Sequence, residues 1–194
     1  MPDPSPSAPA SWPNTAANRA HLAALVRRLH HALLAASSAT QVLEQWCATW
    51  HAAAAARIAV RIVPAAPALP DDAMRARLDV GGDDRIGHRR VCLHWEGRIL
   101  SEADNWYVPA RLSAGMNATL AASSEPFGRV IAPLRPYRTN LRALVLWQAD
   151  TDLGDGTITI PSAVLRHEAV IRSVRGEPLA EVHEVYQRGV LPPP

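Results

Sequence analysis

The chain has 194 residues, of which 48% are hydrophobic and 20% charged, and its formal net charge is +2. This balance excludes a disordered chain, and no apolar run reaches the roughly 18 to 20 residues that span a bilayer. All 20 basic residues are arginines, and they are scattered rather than clustered, so we expect no nucleic-acid-binding surface.

The first third of the sequence predicts a tail, two helices and a strand. Residues 1–14 are rich in Pro and Ser and predict a disordered tail. Apolar positions at helical spacing predict a helix over 15–36, and Ser38 followed by Gln41 predicts the start of a second helix. Alternating side chains over 57–63 predict a strand, which a Pro-rich loop follows.

The middle of the chain predicts further strands and short helices. Residues 74–80 read as a strand, and two longer runs, 85–96 and 98–108, predict a hairpin with its turn at Glu96-Gly97. Three more elements complete this region: a helix that begins at Pro109, a short helical segment over 126–134, and a strand over 141–148.

The last predicted element is a hairpin over 165–187 that turns at Arg175-Gly176. Because side chains alternate along a strand, Glu184 shares a face with apolar neighbours, and Arg89 does so in the preceding hairpin. A lone buried charge costs several kcal/mol unless a partner compensates it. A one-residue slip would exchange Arg89 for Arg90, so the sequence leaves open which arginine faces inward.

The order of elements predicts an α+β fold with a single antiparallel β-sheet of about six strands and helices covering one face. We expect one domain over 15–189, and a frayed tail over 190–194, which ends in three prolines. The N-terminus lacks a basic start followed by an apolar stretch, so no secretory signal is expected. We therefore predict a cytoplasmic protein, either a monomer or a small homo-oligomer, with no membrane partner.

Other reactive side chains form no recognisable constellation. The two cysteines lie in no metal or redox motif, and the histidines lack metal-ligand spacing, so no metal or cofactor is predicted. His30 and His31 are neighbours on a helix and are interpreted as ordinary surface or groove residues.

Five short motifs follow one another along the chain: Ser38-Ala39-Thr40, Arg89-x-Val91-x-Leu93, Asn105-Trp106-Tyr107-Val108-Pro109, Pro126-Phe127-Gly128, and Gly176-x-Pro178 with Glu184. Each is weak alone, but in this order they resemble the chorismate pyruvate-lyase family over about residues 37 to 186. The same fold resembles the effector-sensing domains of some bacterial transcription regulators.

The resemblance implies an internal cavity in which chorismate is converted to 4-hydroxybenzoate and pyruvate without a cofactor, for ubiquinone or other aromatic metabolism. It implies that Arg89 and Glu184 hold the dianionic substrate and act in catalysis. It also implies that backbone amides near Ala39-Thr40 and Phe127-Gly128 bind substrate oxygens. Whether Glu184 is a base or a hydrogen-bond acceptor stays open. Phe127 stands where the family has Leu, and Ala39 is smaller than its counterparts, which puts the substrate in doubt.

Three alternatives remain beside the lyase. The first is a non-catalytic module that binds an aromatic acid; only about 36 residues precede the matching region, which is short for a winged-helix DNA-binding domain. The second is an enzyme that makes a different hydroxybenzoate from chorismate. The third is purely structural: Arg89 and Glu184 pair with each other and hold the sheet in register.

Overall fold

A computed structural model of the chain describes residues 11–50, 57–64, 68–151, 154 and 156–194. These residues form five α-helices, six β-strands and several short 3-10 turns. In chain order the helices and strands are α1 (Ala16–Ala35), α2 (Ala39–Ala48), β1 (Ala59–Ile62), α3 (Asp72–Arg77), β2 (Gly87–Trp95), β3 (Arg98–Tyr107), α4 (Ala114–Ala122), α5 (Phe127–Val130), β4 (Tyr137–Val145), β5 (Ala163–Arg172) and β6 (Pro178–Gln187).

The six strands form one antiparallel sheet in the order β1-β2-β3-β6-β5-β4. The predicted α+β fold with a six-stranded antiparallel sheet is confirmed. The two predicted hairpins are β2–β3 and β5–β6, whose turns contain Gly97 and Gly176 with φ of 76° and 85°. Glycine suits both turns because it adopts positive φ without a steric cost.

One face of the sheet, the inner face, carries α1, α2, α4 and α5. The first two helices pack over Leu165 and Tyr186 at one end of the sheet. The residues of α4 and α5 pack over Ala169 and Val182 nearer the other end. Both groups consist of buried apolar side chains, so the hydrophobic effect provides most of the free energy that holds the helices on the sheet.

The strand predicted at 74–80 is wrong, because this region contains α3. Asp71 caps that helix, accepting a hydrogen bond from the Met74 amide at 2.6 Å. Met74 and Leu78 are four residues apart, and both pack with Trp106 on the outer face of the sheet. Met74, Ala76, Leu78 and Val80 are apolar at every second position, as in a strand. The same series also places apolar residues four positions apart, as on one face of a helix, so the pattern fits both structures.

The two predicted tails are partly wrong. Trp12 packs against the core, and its carbonyl accepts a hydrogen bond from the Ile158 amide at 2.9 Å. At the other end Val190 and Leu191 are buried, and the Trp46 indole donates to the Val190 carbonyl at 2.7 Å. Their apolar side chains offset the entropy cost of ordering the chain, despite the neighbouring prolines. Residues 1–10 of the predicted N-terminal tail lie outside the described residues.

Candidate functional site

A cavity of about 260 Å³ lies on the inner face of the sheet, under the first turns of α2 and α5. Its volume is near the lower end for small-molecule pockets. Apolar side chains of four strands and of the turn after α5 line much of it, among them Val91, Leu93, Ala103, Ile131, Ile171 and Val182. Polar and charged side chains also line it, among them Ser38, Thr40, Gln41, Asn105, Arg135, Arg138 and Glu184, and groups of this kind fix the orientation of a bound ligand.

Glu184 and Arg138, which both border the cavity, form a buried ion pair. Arg138 donates from Nη2 to Glu184 Oε2 at 2.8 Å and from Nη1 to Oε1 at 3.3 Å. The Tyr186 hydroxyl donates to the same carboxylate at 2.9 Å. The two side chains of the pair are 4% and 10% exposed, so each charge depends on the other for compensation.

This pairing sets the ionisation of both groups. Burial on its own would raise the pKa of Glu184, but the charge and hydrogen bonds of Arg138, with the bond from Tyr186, hold that pKa below its ordinary value. Burial opposes the charge of Arg138, yet the carboxylate of Glu184 raises the pKa of Arg138. Glu184 is therefore ionised at neutral pH, where it acts as a hydrogen-bond acceptor.

The polar wall of the cavity includes the first turn of α2. Ser38 caps this helix, and its hydroxyl accepts from the Gln41 amide at 3.4 Å. The amides of Ala39 and Thr40 belong to the first turn, where a helix offers no carbonyl partner. Together with the helix dipole, such amides favour a negatively charged ligand group.

Five of the six predicted site residues border this one cavity: Glu184, Ala39, Thr40, Phe127 and Gly128. Phe127 is buried, and its ring lies 5.8 Å from that of Tyr107, so the ring packs sideways against β3. Gly128 stands opposite Ser38, whose hydroxyl would be 3.5 Å from a Cβ placed there. The roles predicted for these residues remain predictions.

Arg89 is the predicted site residue that does not border the cavity. Arg89 lies on the inner face of the sheet, whereas Arg90 lies on the outer face with its Nη2 3.3 Å from Glu102 Oε2. Arg89 is therefore the arginine that faces inward. Its guanidinium donates to the Glu125 carbonyl at 2.7 Å and to the Ser123 carbonyl at 2.8 Å. Arg89 thus ties the segment before α5 to β2, and its substrate-binding role stays a prediction.

The alternative in which Arg89 pairs with Glu184 is wrong, because Arg138 forms the ion pair with Glu184. Sequence analysis missed Arg138 because it began the strand at Leu141, whereas β4 begins at Tyr137. In the observed register Arg138 lies opposite Ile171 of β5, which turns its side chain inward. The available signal was the strand propensity of Tyr137 and Thr139, which the preceding Pro136 obscured.

Two histidines lie near the ion pair, of which His167 is fully buried and His30 is partly buried. His167 of β5 is the register partner of Glu184, and its ring lies 5.4 Å from that of Tyr186. Its Nε2 is 3.0 Å from Nδ1 of His30 on α1. Burial lowers the pKa of His167 to about 4, and His30 and Arg138 act in the same direction against Glu184.

Two kinds of feature are missing from the described residues: a metal-binding cluster and a membrane-spanning helix. Those residues contain no group of three or more His, Cys, Asp or Glu side chains arranged to hold a metal ion. No helix among them has the length and apolarity needed to cross a membrane.

Comparison with known proteins identifies one close relative by sequence and several by fold. No protein-family model matches the chain. The uncharacterized protein y4mC of Sinorhizobium fredii is 36% identical over 191 residues, which cover 93% of this chain and 81% of y4mC. PhnF from Mycobacterium smegmatis is 11% identical with a TM-score of 0.54, and the match covers 95% of this chain and 91% of PhnF. The effector domain of PhnF gives 11% identity and a TM-score of 0.52, over 78% of this chain and 89% of that domain. At this identity the PhnF matches show a shared fold alone.

Proposed function

The chain belongs to the same family as y4mC of Sinorhizobium fredii, and we propose that it binds a small carboxylic acid reversibly in the cavity of its inner face. The observation that carries this proposal is the cavity itself, where the Arg138–Glu184 pair and the first amides of α2 border an apolar space. The fold shared with the effector domain of PhnF supports a sensing role.

The polarity of the cavity favours an acid with a flat apolar body and a hydroxyl group. The planar guanidinium of Arg138 and the amides of Ala39 and Thr40 suit a carboxylate. Glu184 borders the same space as an ionised acceptor, which suits a ligand hydroxyl. An aromatic ring between them would contact the strand side chains of the cavity. A hydroxybenzoate satisfies these requirements.

Reversible binding is favoured over turnover by the state of Glu184. A general base works best when its pKa lies near the working pH. Arg138 and Tyr186 hold the pKa of Glu184 below its ordinary value, which makes Glu184 a weak base at neutral pH. An effector-sensing role needs Glu184 only as an acceptor.

The second candidate is a chorismate pyruvate-lyase that makes 4-hydroxybenzoate and pyruvate. It is favoured by five predicted site residues that share one cavity: Glu184, Ala39, Thr40, Phe127 and Gly128. The reaction breaks the bond between the ring carbon and the enolpyruvyl oxygen, and the neighbouring ring carbon loses a proton as the ring becomes aromatic. Glu184 is the candidate to accept that proton, and the departing enolpyruvate takes up a proton at its methylene carbon as it becomes pyruvate. A different hydroxybenzoate would require cleavage of another carbon–oxygen bond of chorismate, because its hydroxyl lies on another ring carbon.

Calorimetric titration with 4-hydroxybenzoate tests the binding proposal. We expect the wild-type protein to bind, and Arg138→Gln to weaken binding by at least about tenfold through loss of a charge-assisted contact. Arg142→Gln is the matched control, since Arg142 belongs to the same strand but lies opposite Glu168 on the outer face. Equal affinity of Arg138→Gln and wild type would contradict the assigned site.

Incubation with chorismate separates the two candidates. Chromatography that finds 4-hydroxybenzoate and pyruvate in equal amounts, well above the uncatalysed background, would establish the lyase. A different aromatic acid would keep the site and change the reaction. Binding of 4-hydroxybenzoate without any product would establish the sensing module.

A further inference from the structure

The ion pair of the cavity belongs to a larger buried cluster whose charges balance without a ligand. Arg138 carries one positive charge and Glu184 one negative charge, while Tyr186 and the two histidines are neutral near pH 7. These groups come from α1, β4, β5 and β6. Hydrogen bonds of 2.8 and 2.9 Å join Arg138 and Tyr186 to Glu184, a contact of 3.0 Å joins the two histidines, and the His167 ring lies 5.4 Å from that of Tyr186.

A carboxylate that enters the cavity disturbs this balance. Beside Arg138 it adds a second negative charge to a buried cluster with one positive charge. Arg135 also borders the cavity, but it is exposed, so water screens its charge. An uncompensated charge is costly in the buried cluster, so the ligand complex favours a state that has gained one proton. The acceptor of that proton is either Glu184 or one of the histidines.

The hydrogen bonds of the cluster point to the histidines. Glu184 already accepts three hydrogen bonds, two from Arg138 and one from Tyr186, and these stabilise its charged form. In contrast, Nδ1 of His167 has no partner among the described residues. His30, which shares one proton with His167 across 3.0 Å, is only partly buried and can receive a proton from water.

We propose that a carboxylic acid binds in the cavity as an anion together with one proton, which the His30–His167 pair takes up. The proposal rests on the proposed binding function and adds a mechanism by which ligand occupancy reaches α1. His167 faces Glu184 and Tyr186 from β6, Arg138 from β4 and His30 from α1, and His30 has His31 as its neighbour. The two histidines titrate as one unit because they share a hydrogen bond.

The consequence is that affinity depends on pH. In the free protein the pKa of His167 is about 4, and the added negative charge of the ligand raises it. At a pH between the pKa of the pair in the free protein and its raised pKa in the complex, binding takes up a proton. The affinity for an ionised acid therefore rises by up to about tenfold for each unit that the pH falls. Above the raised value the dependence disappears.

Calorimetry with 4-hydroxybenzoate in two buffers of different protonation enthalpy measures the uptake directly. At a series of pH values above about 4, we expect uptake of up to one proton in the wild type and in His31→Asn, whose side chain is exposed. We expect uptake close to zero in His30→Asn and in His167→Asn. His30→Asn keeps the test valid if the fully buried His167 cannot be replaced without unfolding. Binding without uptake in the wild type, or full uptake in His30→Asn, would overturn the proposal.

A ligand-free measurement distinguishes failure of this inference from failure of the proposed function. In Arg138→Gln the charge of Glu184 is left uncompensated, which reproduces the excess negative charge of the complex. We expect NMR titration of this variant to show a higher pKa for the His30–His167 pair than in the wild type. If 4-hydroxybenzoate does not bind but this pKa rises, the proposed function fails and the coupling stands. An unchanged pKa overturns the coupling whether or not a ligand binds.

Discussion

Replacement of Arg138 by methionine is the most direct test of how the buried cluster is held together. The change removes two of the three hydrogen bonds to Glu184 and leaves a buried carboxylate whose remaining partner among the described residues is Tyr186. Removing one partner of a buried ion pair costs about 3 to 5 kcal/mol in the free energy of unfolding. Methionine restores part of the lost apolar packing, so we expect about 3 kcal/mol at pH 7.

The pH dependence of this cost follows from the pKa of Glu184. In the wild type that pKa lies below its ordinary value of 4.5, so the pair stabilises the fold above that value and loses its effect as the pH falls through the folded pKa. In Arg138→Met burial dominates and the pKa of Glu184 is raised. The variant therefore recovers stability as the pH falls below the raised pKa, and the difference from wild type shrinks toward about pH 4.

Urea unfolding followed by tryptophan fluorescence measures both effects, since the chain has six tryptophans. Arg142→Met, on the outer face of the same strand, should change the free energy of unfolding by less than about 0.5 kcal/mol. The double variant Arg138→Met with Glu184→Leu should lie within about 1 kcal/mol of wild type, because it removes both charges. A cost below about 1 kcal/mol at pH 7, or a cost that does not change with pH, would refute the reasoning.

Three further predictions concern other contacts. Arg89→Met should speed proteolytic cleavage near residues 123–125 and lower the free energy of unfolding by about 2 kcal/mol, because two carbonyls lose a charged donor; a cleavage rate equal to that of wild type would exclude the anchoring role. Trp46→Phe should cost about 1 kcal/mol in urea unfolding through loss of the hydrogen bond to Val190, and an unchanged midpoint would mean that the C-terminal segment adds no stability. Burial opposes the charge of Glu181, but hydrogen bonds from His183 and Arg77 hold the pKa of Glu181 below 4.5. Glu181→Gln should therefore weaken the loss of stability that the wild type shows as the pH falls below 4.5, as measured by unfolding between about pH 6 and pH 3. An acid profile identical to that of the wild type would contradict this.

Much of the fold could be predicted from local patterns. The two hairpins, the first two helices and the inward position of Glu184 all followed from periodicity and turn residues, and the structure agrees with each of them. The segment with α3 was predicted wrongly because apolar residues at every second position fit both a strand and a helix. Asp71, a residue type that favours the N-cap position, was the local signal for the start of the helix.

The buried ends of the chain show a different limit. Trp12, Val190 and Leu191 stand among prolines, and their surroundings in the sequence suggest an unfolded tail. They are ordered because Trp46, Ile158 and the core helices lie beside them in space. Burial of this kind depends on residues more than one hundred positions away, which no local pattern records.

The sequence by itself determined that Glu184 lies on the inner face of the sheet, because alternation along a strand is a local property of the backbone, but it left open whether Arg89 or Arg90 does. Only the tertiary structure decided which groups Glu184 and Arg89 meet. The register between β4 and β5 places Arg138 against Glu184, while the path of the chain before α5 gives Arg89 two carbonyls to bind. A buried charge requires compensation, but which residue compensates it depends on long-range pairing that single-strand periodicity does not encode.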